Sequence, residues 1–262
     1  MSLLSIEQVT RNFGGLTAVS NVSLKIEKNE LVGLIGPNGA GKTTLFNVLT
    51  GVYTPSSGCV MFNNGDKEIE LSKLPPYKIT RKGVARTFQN IRLFKELSVL
   101  DNVKIAMNHE AKYGLFGALL RIGHFYKSEA YIDEKARAFL KEVNLDELAE
   151  TKAKNLPYGK QRQLEIARAL ATGAKLLFLD EPAAGMNPQE THALTGFIKE
   201  IKEKMNLTIV LIEHDMSLVM EICERIFVLD YGKLIASGSP EEIKNNPKVI
   251  EAYLGDEVEV WF

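Results

Sequence analysis

An apolar run, Leu31-Val32-Gly33-Leu34-Ile35, leads straight into Gly36-Pro37-Asn38-Gly39-Ala40-Gly41-Lys42-Thr43-Thr44, which fills the pattern G-x-x-x-x-G-K-[ST]. That order commits this part of the chain to a buried strand, a tight loop and a helix from Lys42 to Leu49 ended by Gly51. The glycines leave the loop backbone free to bend so that successive N–H groups point inward and cradle an anion. Lys42 adds a mobile cation, and Thr43 supplies a hydroxyl suited to Mg²⁺. The positive end of the helix faces the same point, worth about 0.3–2 kcal/mol per charge. With strand and helix both in place, the motif implies a nucleoside triphosphate site rather than an ordinary glycine-rich turn.

The 262 residues leave room for one large α/β domain or two modest ones. Net charge is -1 with lysines and arginines scattered, which gives no nucleic-acid footprint. Cys59 and Cys223 are far apart and lack metal spacing, so reduced core thiols of a cytosolic protein are expected. The stretch Met1 to Glu7 has no basic region followed by apolar residues, and no run reaches the roughly 18 apolar residues a membrane span needs. A membrane role is therefore expected to run through partners.

From about residue 3 to 35 the pattern alternates in short β-like pieces, with Val22, Leu24 and Ile26 on one strand face. Residues 59–64, a turn at Gly65-Asp66 and residues 68–71 suggest a hairpin beside them. Between about 90 and 156 the chain reads as helices, one opening at Ser98 with Asp101 three residues on, another striped by Ile132, Ala136, Phe139 and Val143. Leu164, Ala167 and Ala171 mark a further helix closed by Gly173. The buried runs Leu176 to Asp180 and Thr208 to Ile212 flank an amphipathic helix carrying Leu194, Phe197, Ile198, Ile201 and Met205. This alternation predicts a mostly parallel sheet with helices on its faces, interrupted by a helical insertion and ended by short helices past residue 238.

Asp180 and Glu181 end one apolar strand, at the edge where open α/β sheets bind ligands. One acid there can hold Mg²⁺ while its neighbour polarises an attacking water. His214 follows the next strand at the same edge, within expected reach of a γ-phosphate.

Taken in order, these motifs resemble the ATP-binding cassette ATPases along nearly the whole chain. Phe13 stands where that family stacks an aromatic on adenine. Gly36 to Thr44 is its Walker A, Gln89 in Thr87-Phe88-Gln89-Asn90 its Q-loop, Leu176 to Glu181 its Walker B with catalytic glutamate, and His214 its switch histidine. The resemblance implies Thr43, Gln89 and Asp180 as Mg²⁺ ligands and Lys42, Gln89, Glu181 and His214 as catalytic groups. The signature loop, usually Leu-Ser-Gly-Gly-Gln, aligns with Leu156-Pro157-Tyr158-Gly159-Lys160. Pro157 has no hydroxyl, so backbone N–H groups near Gly159 with the charge of Lys160 are expected to take over part of the phosphate contact, and Tyr158 is counted with Gly159 and Lys160 among the implied nucleotide-binding residues. Ala184-Gly185-Met186-Asn187 ends in asparagine where the family's D-loop has aspartate.

Residues 83–94, Leu97 to Val103, the Leu-Pro-Tyr-Gly signature and Ala184 to Pro188 look like the ATP-binding subunit of high-affinity branched-chain amino acid importers. That resemblance implies a P-loop core of residues 1–89 and 157–237 with an antiparallel β subdomain, a helical subdomain over 90–156, and C-terminal helices over 238–262. ATP would be held between the Walker A of one cassette and the signature of a second, a related non-identical chain or another copy. Two membrane-spanning permease subunits and, indirectly, an extracytoplasmic solute-binding protein complete the implied assembly on the cytoplasmic face of the membrane. The cleft near Gln89, with Arg92, Leu93 and Phe94, is the expected docking point for a short permease helix. The apolar stretch Tyr113 to Tyr126 is read as helical-subdomain core, and the tail Val258 to Phe262 as a segment that could pack on a partner. Two other readings stand beside this one. Cassettes acting on ribosomes or DNA usually carry two cassettes or long coiled-coil arms, and this sequence shows one cassette with neither; a stand-alone P-loop kinase or GTPase would leave the signature segment without a purpose, and no guanine-reading Asn-Lys-x-Asp occurs. Import of urea, other amides or other amino acids is the alternative cargo.

Overall fold

The computed structural model describes residues 2–65, 67–111 and 124–254. Asp66 of the expected turn, residues 113–123 of the apolar stretch and the tail 258–262 lie outside the described residues. By packing, the chain forms two compact units, Met1–Gln89 with Ala174–Phe262, and Asn90–Gly173.

The first unit opens with β1 (Ser2–Phe13) and β2 (Leu16–Glu27), then β3 (Leu31–Ile35), α1 (Lys42–Leu49), β4 (Ser57–Asn63), β5 (Glu68–Glu70), α2 (Pro76–Thr80) and β6 (Val84–Arg86). Strands β2-β1-β4-β5, in that order, make an antiparallel sheet. Val22, Leu24 and Ile26 all point into the core. The short pieces expected from sequence are in fact two 12-residue strands. Register shifts between β1 and β2 explain the difference: each bulge slips the inside–outside alternation by one residue, and the pattern breaks while the ladder continues. Gln8 and Asn21 take left-handed backbone in these strands.

The second unit contains α3 (Val99–Met107), α4 (Phe125–Glu142) and α5 (Tyr158–Leu170) among its described residues. Ser98 caps α3, accepting the Asp101 N–H at 3.0 Å and donating its hydroxyl to the Asp101 carboxylate at 2.7 Å. The buried stripe of α4 runs Ser128, Ile132, Ala136, Leu140 and on to Val143; Phe139 sits one helical step aside and is only half-buried. A boundary at residue 156 was the expectation, yet α5 packs with this unit. The Glu165 carboxylate accepts the Arg92 N–H at 3.0 Å, and the Arg168 guanidinium lies 5.5 Å over the Phe94 ring. The unit therefore runs to Gly173, not to 156.

The chain then returns to the first unit as β7 (Leu176–Asp180), α6 (Pro188–Met205), β8 (Thr208–Ile212), α7 (Met216–Ile222), β9 (Arg225–Asp230), β10 (Lys233–Gly238), α8 (Pro240–Lys244) and α9 (Pro247–Leu254). Its main sheet has the order β10-β9-β3-β8-β7-β6, parallel except for β10. Strands β3, β7 and β8 are buried at every residue, as central parallel strands with both faces covered must be. The apolar run that makes β9, and its pairing beside β3, had no counterpart in the sequence reading. Gly33 in mid-strand has a packing reason: a Cβ there would stand 3.1 Å from Cys223 Sγ and from a Val219 methyl, so its absence lets α7 lie close on β3. Cys223 is a core thiol that burial pushes up, whereas Cys59 is only half-buried on β4. Phe46 of α1 meets Phe178 of β7 edge to face at 5.1 Å, both fully buried. Phe178→Ala should cost about 3–5 kcal/mol of stability, measurable as a lower urea midpoint at unchanged slope.

Candidate active site

Three of the loop glycines, Gly36, Gly39 and Gly41, carry positive φ, which a side chain would strain. A Cβ on Gly36 would fall on the Leu229 carbonyl oxygen, and one on Gly41 on that of Ala18. The loop is thus wedged between β9 and β2, and the Gly232 N–H reaches the Ala40 carbonyl at 3.0 Å. Lys42, expected as a mobile cation, is buried, and its Nζ donates to the carbonyls of Gly36 at 2.6 Å and Pro37 at 2.9 Å. Burial lowers its pKa, and the Glu181 carboxylate opposes that shift. Ala40 is buried, while Pro37 is half-buried and Asn38 and Gly39 are exposed. Thr43 is exposed at the start of α1, with Thr44 half-buried behind it. A cavity of about 470 Å³ opens over this loop, lined among others by Phe13, Ala18, Lys42, Thr43, Glu181 and His214. Phe13 meets Tyr53 edge-on at 5.2 Å, and the Arg11 guanidinium lies 4.5 Å over its ring.

Glu181 leaves β7 with φ 46°, a left-handed conformation that costs a residue with a side chain about 1–3 kcal/mol and persists only where its surroundings impose it. Its N–H extends the ladder to the Ile212 carbonyl at 2.9 Å. Its carboxylate is held from both sides, accepting the Gln89 side-chain N–H at 2.8 Å and lying 3.0 Å from His214 Nε2. Sequence separations of 92 and 33 residues vanish because β6, β7 and β8 end together.

Asp180 is buried and ion-paired with Arg86 at 2.5 Å. Arg86 also donates to the Asn47 side-chain oxygen at 2.6 Å and to Thr50 Oγ1 at 3.2 Å, so one guanidinium ties the end of β7 to α1. Arg86 falls inside the family-like stretch 83–94, where no local pattern marks it as a partner of Asp180. Glu213 also lies outside the sequence expectations; its buried carboxylate accepts the backbone N–H groups of Ala183 at 2.7 Å and His214 at 3.1 Å. A charged residue directly behind the wholly buried β8 is the signal the sequence offers.

In the second unit Pro157 stands as the N-cap of α5, followed by Tyr158, Gly159 and Lys160 in its first turn, where N–H groups have no acceptor within the helix. Lys160 Nζ donates to the neutral amide of Gln163 at 3.0 Å, a bond that does not itself cancel the lysine's charge. Asn187, the D-loop departure, caps α6 in a reciprocal pair with Glu190: its side chain accepts the Glu190 N–H at 3.0 Å and its own N–H reaches the Glu190 carboxylate at 3.2 Å. Aspartate would cap equally well, so the change is locally conservative.

The sequence profile of the ABC transporter family matches residues 19–184. The chain belongs to that family. A second profile, branched-chain amino acid ATP-binding cassette transporter, matches residues 233–259 of the cassette. Curated relatives include the high-affinity branched-chain amino acid transport ATP-binding protein LivG of Salmonella typhimurium, 49% identical over 97% of the cassette and 98% of the relative. BraF of Pseudomonas aeruginosa, which carries the same description, is 47% identical over the same shares. Among solved structures, the ADP conformation of MJ1267, an ATP-binding cassette of an ABC transporter, superposes with a TM-score of 0.82 at 32% identity, covering 98% of the cassette and 100% of that chain. A nucleotide-free cassette superposes at 0.81 and 33% identity, with the same coverage. The cassette is an ATPase of the P-loop fold. Arg86→Ala should cost it about 3–5 kcal/mol, since a buried Asp180 carboxylate would be left uncompensated, and Arg86→Lys should cost less; chemical denaturation of the three proteins checks this.

Proposed function

We propose that this cassette is the ATP-hydrolysing subunit of an importer for branched-chain amino acids, with chemistry centred on Glu181. The observation that carries the reading is one carboxylate, in strained backbone, bracketed by Gln89 and His214 at the mouth of the phosphate-loop cavity. Its relatives, 47–49% identical along nearly their whole length, are described as ATP-binding proteins of that transport.

In this reading the adenine of ATP rests against Phe13, the phosphates lie in the cradle of residues 36–44, and Lys42 exchanges its carbonyl partners for phosphate oxygens. Glu181 orients a water and accepts its proton as the water oxygen bonds the γ-phosphorus. The bond from that phosphorus to the β-bridging oxygen breaks, leaving ADP and phosphate. His214 donates to the γ-phosphate. The donors fit Mg²⁺: the Thr43 hydroxyl, the Gln89 amide oxygen and the Asp180 carboxylate are hard oxygen ligands. Few protein ligands suffice, because this ion keeps phosphate oxygens and water. When bound it neutralises charge on the phosphates.

The first turn of α5, with N–H groups directed out of the helix start and the Lys160 charge beside them, presents the γ-phosphate contact of a second cassette, so closure and hydrolysis belong to a pair. The partner cassette is a related, non-identical chain. Coupling runs to two membrane subunits on the cytoplasmic face. Exposed Arg92 and Phe94 with half-buried Leu93 offer the mixed surface they would touch, and no described helix is long and apolar enough to cross a membrane. Glu181→Gln should retain ATP affinity within about twofold and lose at least about 100-fold in turnover; near-normal hydrolysis would refute the assignment. Specific activity should also fall on dilution as the pair dissociates, and a rate per cassette independent of concentration would exclude the paired site.

A further inference from the structure

The register of β7 with β8 ends at Asp180 and Ile212, and the backbone bond from the Glu181 N–H to the Ile212 carbonyl closes it. The next connection is made by a side chain. Glu213 places one carboxylate oxygen 2.7 Å from the Ala183 N–H, in the turn that follows Glu181, and the other 3.1 Å from the His214 N–H, with the Asp215 N–H as a third donor. The carboxylate is buried, and it sits near enough to Glu181 to feel its charge. Nothing in the hydrolytic reading uses it. A neutral residue of the same shape would not serve: glutamine has one acceptor oxygen, and its NH₂ group would face an N–H of one of the two turns.

We propose that Glu213 is a positioning residue for ATP hydrolysis, clamping the turn that carries Glu181 to the turn that carries His214 and so setting the distance between them. The left-handed φ of Glu181 requires a surrounding structure that over-determines it, and the clamp two residues further on supplies part of that constraint. The inference rests on the proposed roles of Glu181 and His214.

The test is a double-mutant cycle by single-turnover ATP hydrolysis, run on the full chain in its paired form. Glu213→Gln should lower the rate of the chemical step by about 10-fold or more while ATP affinity stays within about twofold, and in a His214→Ala background the same change should lower it by no more than about threefold. A rate within twofold of the parent, a loss seen only in ATP affinity, or a full additive loss in the His214→Ala background would each overturn the clamp. If Glu213→Gln does not fold, Glu213→Asp, which keeps both oxygens one methylene short, carries the same cycle and the same criteria. Glu181→Gln measured alongside separates the two ideas. If it stalls while Glu213→Gln is unaffected, only the clamp fails; if it turns over normally, the site assignment itself has failed.

Discussion

The phosphate loop of this cassette exists because two stretches of backbone come closer to it than any side chain would allow. Leu229 on β9 and Ala18 on β2 present carbonyl oxygens where Gly36 and Gly41 would otherwise carry a Cβ. The loop is therefore held by contacts of the main chain with main chain, and Lys42 closes it from inside through the Gly36 and Pro37 carbonyls. In the proposed function, a cradle fixed in this way keeps its frame as it takes phosphate, and only the lysine changes partners. That is the preorganisation on which electrostatic catalysis of phosphoryl transfer depends.

Around the cradle, the carboxylates of Asp180, Glu181 and Glu213 each have defined counterparts. Arg86 neutralises Asp180 and reaches α1, Gln89 and His214 share Glu181, and backbone N–H groups satisfy Glu213. Two adjacent acids at one strand end therefore have separate environments: Asp180 is buried against a guanidinium, and Glu181 faces the cavity through an amide and an imidazole. Such separation is what the proposed function asks of them, a metal-binding and a water-orienting role side by side.

The second unit shows the same economy. Arg162 and Glu165 form a buried pair one helical turn apart on α5, and the free Glu165 oxygen accepts the Arg92 N–H. A buried ion pair earns little net stability by itself, so its value here is positional: it fixes the segment just after Gln89 to the helix whose first turn carries the signature residues.

Sequence alone carried the strand, loop and α1, the three buried strands β3, β7 and β8, the caps at Ser98 and the helix closed by Gly173, because each depends on local periodicity, glycine placement or a short capping pattern. It also brought Asp180, Glu181 and His214 to one sheet edge, since parallel strands joined by right-handed crossovers end on the same side. Family resemblance, not periodicity, singled out Gln89 and Phe13. Tertiary structure decided the rest. The bulges that join short pieces into 12-residue strands, the insertion of β9 beside β3, the allegiance of α5 to the helical unit, and the partners of Asp180 and Glu213 all arise from contacts between residues distant in the chain. No local pattern encodes those contacts, because burial sets which polar groups must find each other and only the folded backbone sets which ones are within reach.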